Sequence, residues 1–483
     1  MTYPSGNTNL DSLIPKTAFG EVSTAEPAPL FQVSAQYGIR NDVLTINLGG
    51  STSAVDGNFV ASTGVGASNV SAIVTKREAQ YKAGQGLIAR FTAIFTEGVI
   101  DSEQQAGFIN SESAFAFGYQ GEDYGIIHGR DGALEQQELT ITTPAGGSET
   151  ATVTIDGVAY SVSLTSGTVE HNAYEIAASL KAQNPTYNFT SNGAVVVALA
   201  RLPDFGGGSF LFSSGSAAGS WVSITSGVMP TVEFTKKNNW NVRPDIDIDP
   251  SFGNVYLIRV QYLGYGGIRF YIEEKESADL VLVHVIQYAN SNLVPSVNNP
   301  IFRIGWAARN AGNTTDVVVK GASCGAFNEG KVTYDNESSG VCHTQLSVGT
   351  TRTNVLTLRN RLTYQDIANR AEIIPRSLIL ATDTTKTAVY EVVVEPEVAP
   401  GDSLLFQYLD EPNSLMEYAT NSVAITGGRV VACIPVQAGQ PFPFDIESIV
   451  RFHPPNTTFS IASKVSQGAS SAMDVSANWI DDL

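Results

Sequence analysis

The chain has 483 residues, which is enough for about three domains of ordinary size. Its 47 Asp and Glu outnumber its 28 Lys and Arg, giving a formal net charge of −19, and a surface field of this sign excludes nucleic acids and anionic membranes as partners. Only 16% of the residues are charged, whereas β-branched and aromatic residues recur in short runs, so the sequence predicts a mainly β protein.

The first residues, 1–28, are predicted to form an arm. They contain few large apolar residues and carry Pro4, Pro15 and Pro27, so they cannot bury enough surface to fold alone. They also lack the charged-then-apolar order of a signal peptide, and no window of the chain has the roughly 18 apolar residues of a spanning helix. These features predict a protein that is made in a cytoplasm, is not inserted in a membrane and uses its arm for attachment.

Residues 29–137 contain short strand-like runs separated by Gly, Asn, Asp and Ser. The clearest run is LIARFTAIF at 87–95, in which the odd-numbered residues are all apolar and the even-numbered ones include Arg90 and Thr92. Because side chains alternate across a strand, this run predicts one buried face and one partly wet face. Strands at spacings of about ten residues predict an antiparallel sandwich.

Residues 138–232 have a different pattern, which predicts a small ββαββ module. The dipeptide Asp156-Gly157 is a strong signal for a two-residue hairpin. A helix is predicted over about 166–185, where apolar residues recur at helical spacing up to Pro185. The module starts and ends in turn-like sequence, so its termini can lie close together, as in an insertion.

The strand pattern returns in residues 233–330, so 29–137 and 233–330 are predicted to be two halves of one sandwich. Residues 331–355 are rich in polar and turn-forming residues and are predicted to be a linker. Residues 356–483 contain further strand-like runs with Pro- and Gly-rich loops, which predict a C-terminal antiparallel β-domain.

Three stretches carry a resemblance to known families. NVYLIRVQYLGYGGIRFYIEE at 254–274 resembles the corresponding stretch of concanavalin-A-like and laminin-G-like β-sandwiches, which are jelly rolls. The order of segments from YKAGQGLIARFTAIFTEG at 81–98 to IFRIGWAARNAGNTTDVVVKGAS at 301–323 looks like a sandwich of structural proteins from tailed phages and large DNA viruses of aquatic hosts. TVTIDGVAYSVSL at 152–164 is similar to the start of a ββαββ module of phage tail and fibre proteins. The resemblance covers about residues 30–330 and implies a virion protein, often a trimer.

The sequence predicts no enzyme. Glycoside hydrolases on such a sandwich use two carboxylates that project from one strand. The nearest acids in this chain, Glu273, Glu274 and Glu276, stand where a predicted strand ends and a turn begins. The histidines and cysteines do not have the spacing of a zinc site. Cys324 and Cys342 could form a disulfide, and the alternative is that both remain free thiols.

One group of acids is a candidate metal site. Asp245, Asp247 and Asp249 alternate with isoleucines, so an extended segment would place all three carboxylates on one face. Such an array could hold calcium, because hard oxygen ligands suit that ion. The alternative is a solvated edge, where like charges discourage strand pairing. No cofactor other than calcium is predicted.

A second group is a candidate glycan-binding surface. Sugar binding needs an exposed aromatic ring with amide or guanidinium groups nearby, and Tyr265 would lie at the tip of a hairpin. The candidates are Tyr262, Tyr265, Trp306, Arg309 and Asn313. For Trp306, which lies within a strand-like run, the alternative is a buried core position.

The sequence and the resemblance together predict a non-enzymatic structural subunit of a virus particle: a fibre, a spike, or a capsid or tail decoration protein. Its expected partners are further copies of itself in a homotrimer, other virion proteins that meet the arm, and host glycans; its expected location is the virion. The alternative function is a carbohydrate-binding lectin or adhesin. A polysaccharide hydrolase is the third possibility.

Overall fold

The computed structural model describes residues 27–203, 208–330, 338–383, 385–411, 413–447, 449–450 and 453–482. These residues divide into two compact units. The first unit consists of residues 27–132 with 229–330, and the second of residues 133–228 with 338–482. The predicted arm lies almost wholly outside the described residues, which begin at Pro27.

The strands of the first unit come from two separate stretches of the chain. The first stretch contains β1 (Pro27–Ser34), β2 (Val43–Leu48), β3 (Ser51–Val55), β4 (Asn58–Ser62), β5 (Val70–Thr75), β6 (Ala79–Gln80), β7 (Leu87–Phe95), β8 (Ser102–Ile109), β9 (Ala114–Gln120) and β10 (Asp123–Arg130). Between the two stretches, within the second unit, lie β11 (Gln136–Thr143), β12 (Glu149–Ile155), β13 (Val158–Leu164), helix α1 (Val169–Gln183), β14 (Tyr187–Asn192), β15 (Val195–Ala200), β16 (Phe210–Ser213) and β17 (Ala218–Thr225). The first unit resumes with β18 (Thr231–Lys236), β19 (Asn254–Val260), β20 (Ile268–Glu273), β21 (Leu280–Ile286), β22 (Ile301–Asn310), β23 (Val318–Gly321) and β24 (Ser323–Glu329). Two short 3₁₀ helices cover Ala35–Tyr37 and Lys237–Asn239.

The remainder of the second unit is built from twelve described strands. They are β25 (Ser338–Val348), β26 (Thr353–Asn360), β27 (Thr363–Tyr364), β28 (Ile367–Ala368), β29 (Glu372–Thr382), β30 (Ala388–Val398), β31 (Gln407–Tyr408), β32 (Met416–Ala419), β33 (Ile425–Val436), β34 (Phe442–Asp445), β35 (Thr458–Val465) and β36 (Ser471–Asp482).

The first unit is a sandwich of two antiparallel sheets. One sheet has the order β21-β20-β19-β7-β23-β4-β3, with β24 paired to β7 and β1 paired to β24. The other has the order β18-β10-β9-β8-β22-β5-β2, with β6 on β22. Both sheets contribute side chains to one core, because apolar residues of β7 and β19 pack in the same cluster as those of β8 and β9.

Strand β7 shows how the sequence pattern produces this core. Its odd-numbered residues, from Leu87 to Phe95, are all buried, whereas Arg90 is exposed and Thr92 is partly exposed. The buried ring of Phe91 stacks on that of Tyr256 of β19 at 5.5 Å between centroids, and Phe117 of β9 approaches Tyr256 at 4.7 Å. The alternation predicted from the sequence is confirmed, and it aligns the aromatic rings along the interior of the sandwich.

The second unit begins with the predicted α+β module. Its sheets have the orders β14-β15-β11-β17 and β13-β12-β16, and α1 packs its apolar face against them. Asp156 and Gly157 form the predicted hairpin turn with φ of 54° and 79°, values that suit Asp and Gly. Helix α1 begins after Thr168, whose side chain accepts a hydrogen bond from the His171 N–H, and it ends before Pro185.

The C-terminal strands form two further antiparallel sheets, β25-β36-β29-β34 and β31-β32-β26-β35-β30-β33, around their own core. They join the α+β module in one compact unit, whereas the sequence suggested three separate bodies. The interval 331–355, predicted as a linker, contains the eleven-residue strand β25, which pairs with β36, and the start of β26. Strand β25 was missed because its exposed and partly exposed residues are mostly polar.

The predicted fold class is confirmed in its architecture: the protein is mainly β, with an antiparallel β-sandwich, an inserted α+β module and C-terminal antiparallel sheets. Within the described residues, no helix has both the length and the apolar character needed to cross a bilayer.

Candidate functional site

Two loops of the first unit meet beside the β19–β20 turn. The turn, residues 261–267, depends on glycine, because a Cβ on Gly266 would lie 1.8 Å from the Gln261 carbonyl oxygen. The second loop, residues 287–300, joins β21 to β22, and its Ser296 N–H donates to the Gly264 carbonyl at 2.8 Å. The hairpin predicted from the glycine-rich sequence therefore forms, and it lies against a loop that the sequence did not link to it.

Three tyrosines, Tyr262, Tyr265 and Tyr288, hold the second loop in place; we call them the tyrosine clamp. Their hydroxyls donate to every second carbonyl of the segment 293–297: Tyr265 to Leu293 at 3.1 Å, Tyr288 to Pro295 at 3.3 Å and Tyr262 to Val297 at 2.7 Å. The rings of Tyr265 and Tyr288 lie 6.3 Å apart, and that of Tyr262 meets Tyr81 edge-on at 5.5 Å. The clamp fixes the backbone of the segment through side-chain donors.

A buried histidine adds a fourth donor to the same segment. His128 Nε2 lies 2.7 Å from the Ser296 carbonyl oxygen, which can only accept, so Nε2 carries the proton. Burial lowers the pKa of His128, an effect that its bond to Ser296 and the nearby Glu233 partly oppose. The neutral ring therefore predominates at neutral pH, and the loop is held by uncharged donors.

The clamped loops display apolar side chains to solvent. Leu293 is 97% exposed, Leu263 is 55% exposed and Tyr265 is 39% exposed. Asn290 and Asn298, on the second loop, are exposed as well. An exposed apolar cluster on a fixed backbone, with amides on the same loop, is typical of a recognition surface.

The other three glycan candidates do not belong to this surface. Trp306 is 1% exposed in the sandwich core, where its indole N–H donates to the Thr92 carbonyl at 2.8 Å, so a sugar cannot reach it. Its core position, which was the alternative reading, is therefore the correct one. Arg309 and Asn313 lie at the far end of β22 from the clamp, because the clamped segment precedes this ten-residue strand, which is about 30 Å long, and Asn313 follows it.

The local bonds of Asn313 and Arg309 also show what these residues do. Asn313 Nδ2 donates to the Asp101 carbonyl at 2.7 Å and its Oδ1 accepts from the Thr315 N–H at 2.7 Å, so the amide builds a turn. Arg309 is partly exposed, with Nη1 3.9 Å from the Met229 sulfur. Residue type alone placed both in the glycan set.

The three candidate calcium ligands lie outside the strands, and all three are exposed, whereas Ile246 between two of them is buried. The side chain of Asp245 is 80% exposed and lies 3.5 Å from Arg243, while Ile246 points into the core. Asp249 accepts hydrogen bonds from the Ser251 hydroxyl and N–H, which lower its pKa. Asp247 is also exposed. Across the described part of the chain, no three His, Cys, Asp or Glu side chains are grouped to hold a metal ion. The three carboxylates face solvent, and a role in calcium binding stays a prediction.

The remaining candidates of the sequence also have assigned places. Glu274 pairs with Arg243 at 3.0 Å and accepts from the Ser277 hydroxyl, as expected for an acid at a turn. Cys324 is buried and Cys342 is exposed, and both are free thiols, so the disulfide alternative is wrong. Burial raises the pKa of the Cys324 thiol, which keeps it protonated and unreactive.

His284 of β21 makes the first unit sensitive to acid. It is 7% exposed, its Nδ1 accepts from the Asn241 N–H at 3.2 Å, and burial lowers its pKa to about 4. Since the unfolded chain binds the proton with an ordinary pKa near 6.5, the stabilisation is complete above pH 6.5 and is lost as the pH falls toward 4. We expect a loss of about 2 kcal/mol between pH 7 and pH 4 after allowance for solvent screening.

Urea denaturation of the wild type and of His284→Gln at several pH values checks this expectation. Glutamine retains an acceptor for the Asn241 N–H and does not titrate, so the variant should lose about 2 kcal/mol less than the wild type between pH 7 and pH 4. All other groups titrate equally in the two proteins. Parallel curves for the two proteins would contradict the assignment.

Among known proteins, similarity to this chain was found in solved structures but not in family models or curated sequences. Lectin II from Ulex europaeus is 9% identical, with 62% of this chain and 99% of that chain covered and a TM-score of 0.23. The legume lectin-like domain from Entamoeba histolytica is 10% identical, with coverages of 60% and 91% and a TM-score of 0.22. A lectin from Bauhinia forficata in complex with GalNAc is 11% identical, with coverages of 63% and 98% and a TM-score of 0.23. Identities and TM-scores this low do not show what this chain binds.

Proposed function

We propose that the first unit recognises carbohydrate, as a lectin or adhesin does, and that a sugar binds on the exposed ring of Tyr265. The observation that carries the proposal is the tyrosine clamp, which fixes an exposed aromatic ring through the Tyr265 hydroxyl and the neighbouring Tyr288 ring. A flat aromatic face packs against the apolar face of a sugar ring. A ring that is already fixed loses little side-chain entropy on binding.

Polar groups for the sugar hydroxyls are available on the same loop. Asn290 and Asn298 are exposed, and an amide offers both a donor and an acceptor. Nothing in this arrangement requires calcium, a nucleophile or an acid and base pair, so the proposed activity is binding without catalysis.

A glycan array with purified protein tests the proposal. We expect Tyr265→Ala to weaken binding about tenfold or more, because the ring is lost, and Tyr265→Phe to weaken it less, because only the hydroxyl is lost. Tyr37→Ala is the matched control, since Tyr37 is 72% exposed at the end of a 3₁₀ helix of the first unit. A wild type that binds no glycan, or a Tyr265→Ala variant that binds as the wild type does, would contradict the proposal.

A second candidate function is the one the sequence favoured, a non-enzymatic subunit of a virus particle that assembles as a trimer and attaches through residues 1–28. The observation in its favour is that three aliphatic side chains, Leu263, Leu293 and Val294, are exposed together with Tyr265. Aliphatic side chains suit a protein partner better than a sugar. Sedimentation velocity of the wild type and of Leu293→Ser is the test. A wild-type trimer that dissociates in the variant supports assembly through this surface, and a wild-type monomer at micromolar concentration contradicts it.

A further inference from the structure

The second unit contains a cavity of about 200 Å³ beneath α1, which we call the α1 cavity. Helix α1 and β14 form one wall, and residues of β26, β30 and the segment before β31 form the other. The cavity lies in the second unit and uses no residue of the proposed sugar site, so what it binds is a separate question.

A buried arginine is the main polar group of the α1 cavity. The Arg359 side chain is only 8% exposed, and its Nε donates to the Glu417 carboxylate at 2.6 Å. Nη2 donates to the Ser191 carbonyl at 2.6 Å, and the guanidinium carbon lies 3.8 Å from the centre of the Phe406 ring. These contacts fix the plane of the guanidinium from three sides.

The remaining nitrogen of this arginine is available. Within the part of the chain that the structure describes, Arg359 Nη1 has no hydrogen-bond partner. This nitrogen is not fully buried. A guanidinium that is held rigidly by its other nitrogens presents the remaining nitrogen as a preorganised donor for a planar anion.

Further groups of the lining complement this donor. Lys181 of α1 forms no ion pair with any described residue, and Tyr174 keeps its proton because burial raises the pKa of its phenol. Phe406 and Tyr174 supply aromatic surface, and Asn456 supplies an amide. The carboxylate among the described lining residues is Glu395, which is exposed and accepts from the Thr458 N–H at 3.3 Å. The lining thus combines cations for an anion with aromatic walls for an organic body.

We propose that the α1 cavity binds a small organic acid of monosaccharide size, a hexuronic acid, with its carboxylate on Arg359 Nη1 and near Lys181 and its ring against Phe406 and Tyr174. The volume argues for one ring, since pockets for drug-sized ligands begin at about 300 Å³. The aromatic side chains of Tyr174 and Phe406 in the lining favour an organic acid over a small inorganic anion, because an inorganic anion makes no apolar contact.

Isothermal titration calorimetry of the full chain with D-glucuronate tests the proposal. D-Glucose has the same ring without the charge, and acetate has the carboxylate without the ring. We expect glucuronate to bind at least about tenfold more tightly than either. No binding of glucuronate at about 10 mM, or equal binding of glucose or of acetate, would overturn the proposal.

Two variants on the exposed side of α1 locate the binding without disturbing the core. Lys181→Gln should weaken glucuronate binding about fivefold, because one cation is lost. Ala178→Phe places a ring at the mouth of the cavity and should abolish binding; Ala178 is exposed, so the fold should survive, as the far-ultraviolet circular dichroism will show.

The matched control is Lys275→Gln, which removes the same charge from an exposed position of the first unit and should leave binding unchanged. Loss of glucuronate binding in Ala178→Phe with unchanged binding on the glycan array would separate this inference from the proposed lectin function. A folded Ala178→Phe variant that binds as the wild type does would overturn the assignment to the α1 cavity.

Discussion

Replacing Trp306 with alanine is expected to lower the free energy of unfolding of the first unit by about 4 kcal/mol. The indole is buried in the sandwich core, tilted against Phe59 at 5.5 Å, and its N–H donates to the Thr92 carbonyl. The substitution removes this packing and leaves both a cavity and an unpaired carbonyl. Urea denaturation followed by tyrosine fluorescence or circular dichroism measures the loss.

Two further variants show whether the loss comes from core packing. Trp306→Phe keeps a ring and should lose about half as much. A Cβ on Gly321 would lie 2.0 Å from the indole nitrogen, so Gly321→Ala should be strongly destabilising in the wild type and much less so in the Trp306→Ala background. A loss below about 1 kcal/mol for Trp306→Ala would contradict the core assignment.

Replacing Arg359 with methionine is expected to lower the free energy of unfolding of the second unit by about 4 kcal/mol. Glu417 is 4% exposed and would keep its Asn192 hydrogen bond at 2.8 Å while losing its cationic partner. The Ser191 carbonyl would lose its donor at the same time. An unpaired buried carboxylate is costly, so the loss should greatly exceed that of an exposed ion pair.

The double variant Arg359→Met with Glu417→Met separates the cost of the unpaired charge from the worth of the pair. Because replacing both partners by apolar residues leaves no buried charge, we expect it to be within about 2 kcal/mol of the wild type. Arg376→Met is the matched control, since Arg376 pairs with Glu447 at the surface and should cost less than about 1 kcal/mol. Equal losses for Arg359→Met and Arg376→Met would contradict the argument.

The elements that the sequence predicted are those in which one local pattern decides the structure. Alternation in 87–95 identifies β7, Asp156-Gly157 identifies a hairpin, and Pro185 marks the end of α1. Strand β22 could not be oriented in this way, because residues on both of its faces are buried and the period of two disappears. Residue type alone therefore left Trp306 open between a glycan-binding position and the core, and the structure places it in the core.

The candidate site was found only in part, because its contacts are not local. Tyr265 was identified from its position in a glycine-rich turn. The partners of the three clamp tyrosines are the backbone carbonyls of Leu293, Pro295 and Val297, and carbonyls leave no signature in the sequence because every residue has one. The same holds for Arg359, which meets Ser191 across 168 positions of the chain.

The tyrosine clamp also limits how another chain can approach the exposed segment at Leu293 and Val294. An exposed apolar segment usually invites strand addition, because its unpaired carbonyls accept hydrogen bonds from an incoming backbone. Here the carbonyls of Leu293, Pro295 and Val297 are already occupied by phenolic hydroxyls. The protein can thus display leucine and valine at a loop tip without offering a template for β-aggregation. Any partner must bind the exposed side chains, because it cannot add a strand to this segment.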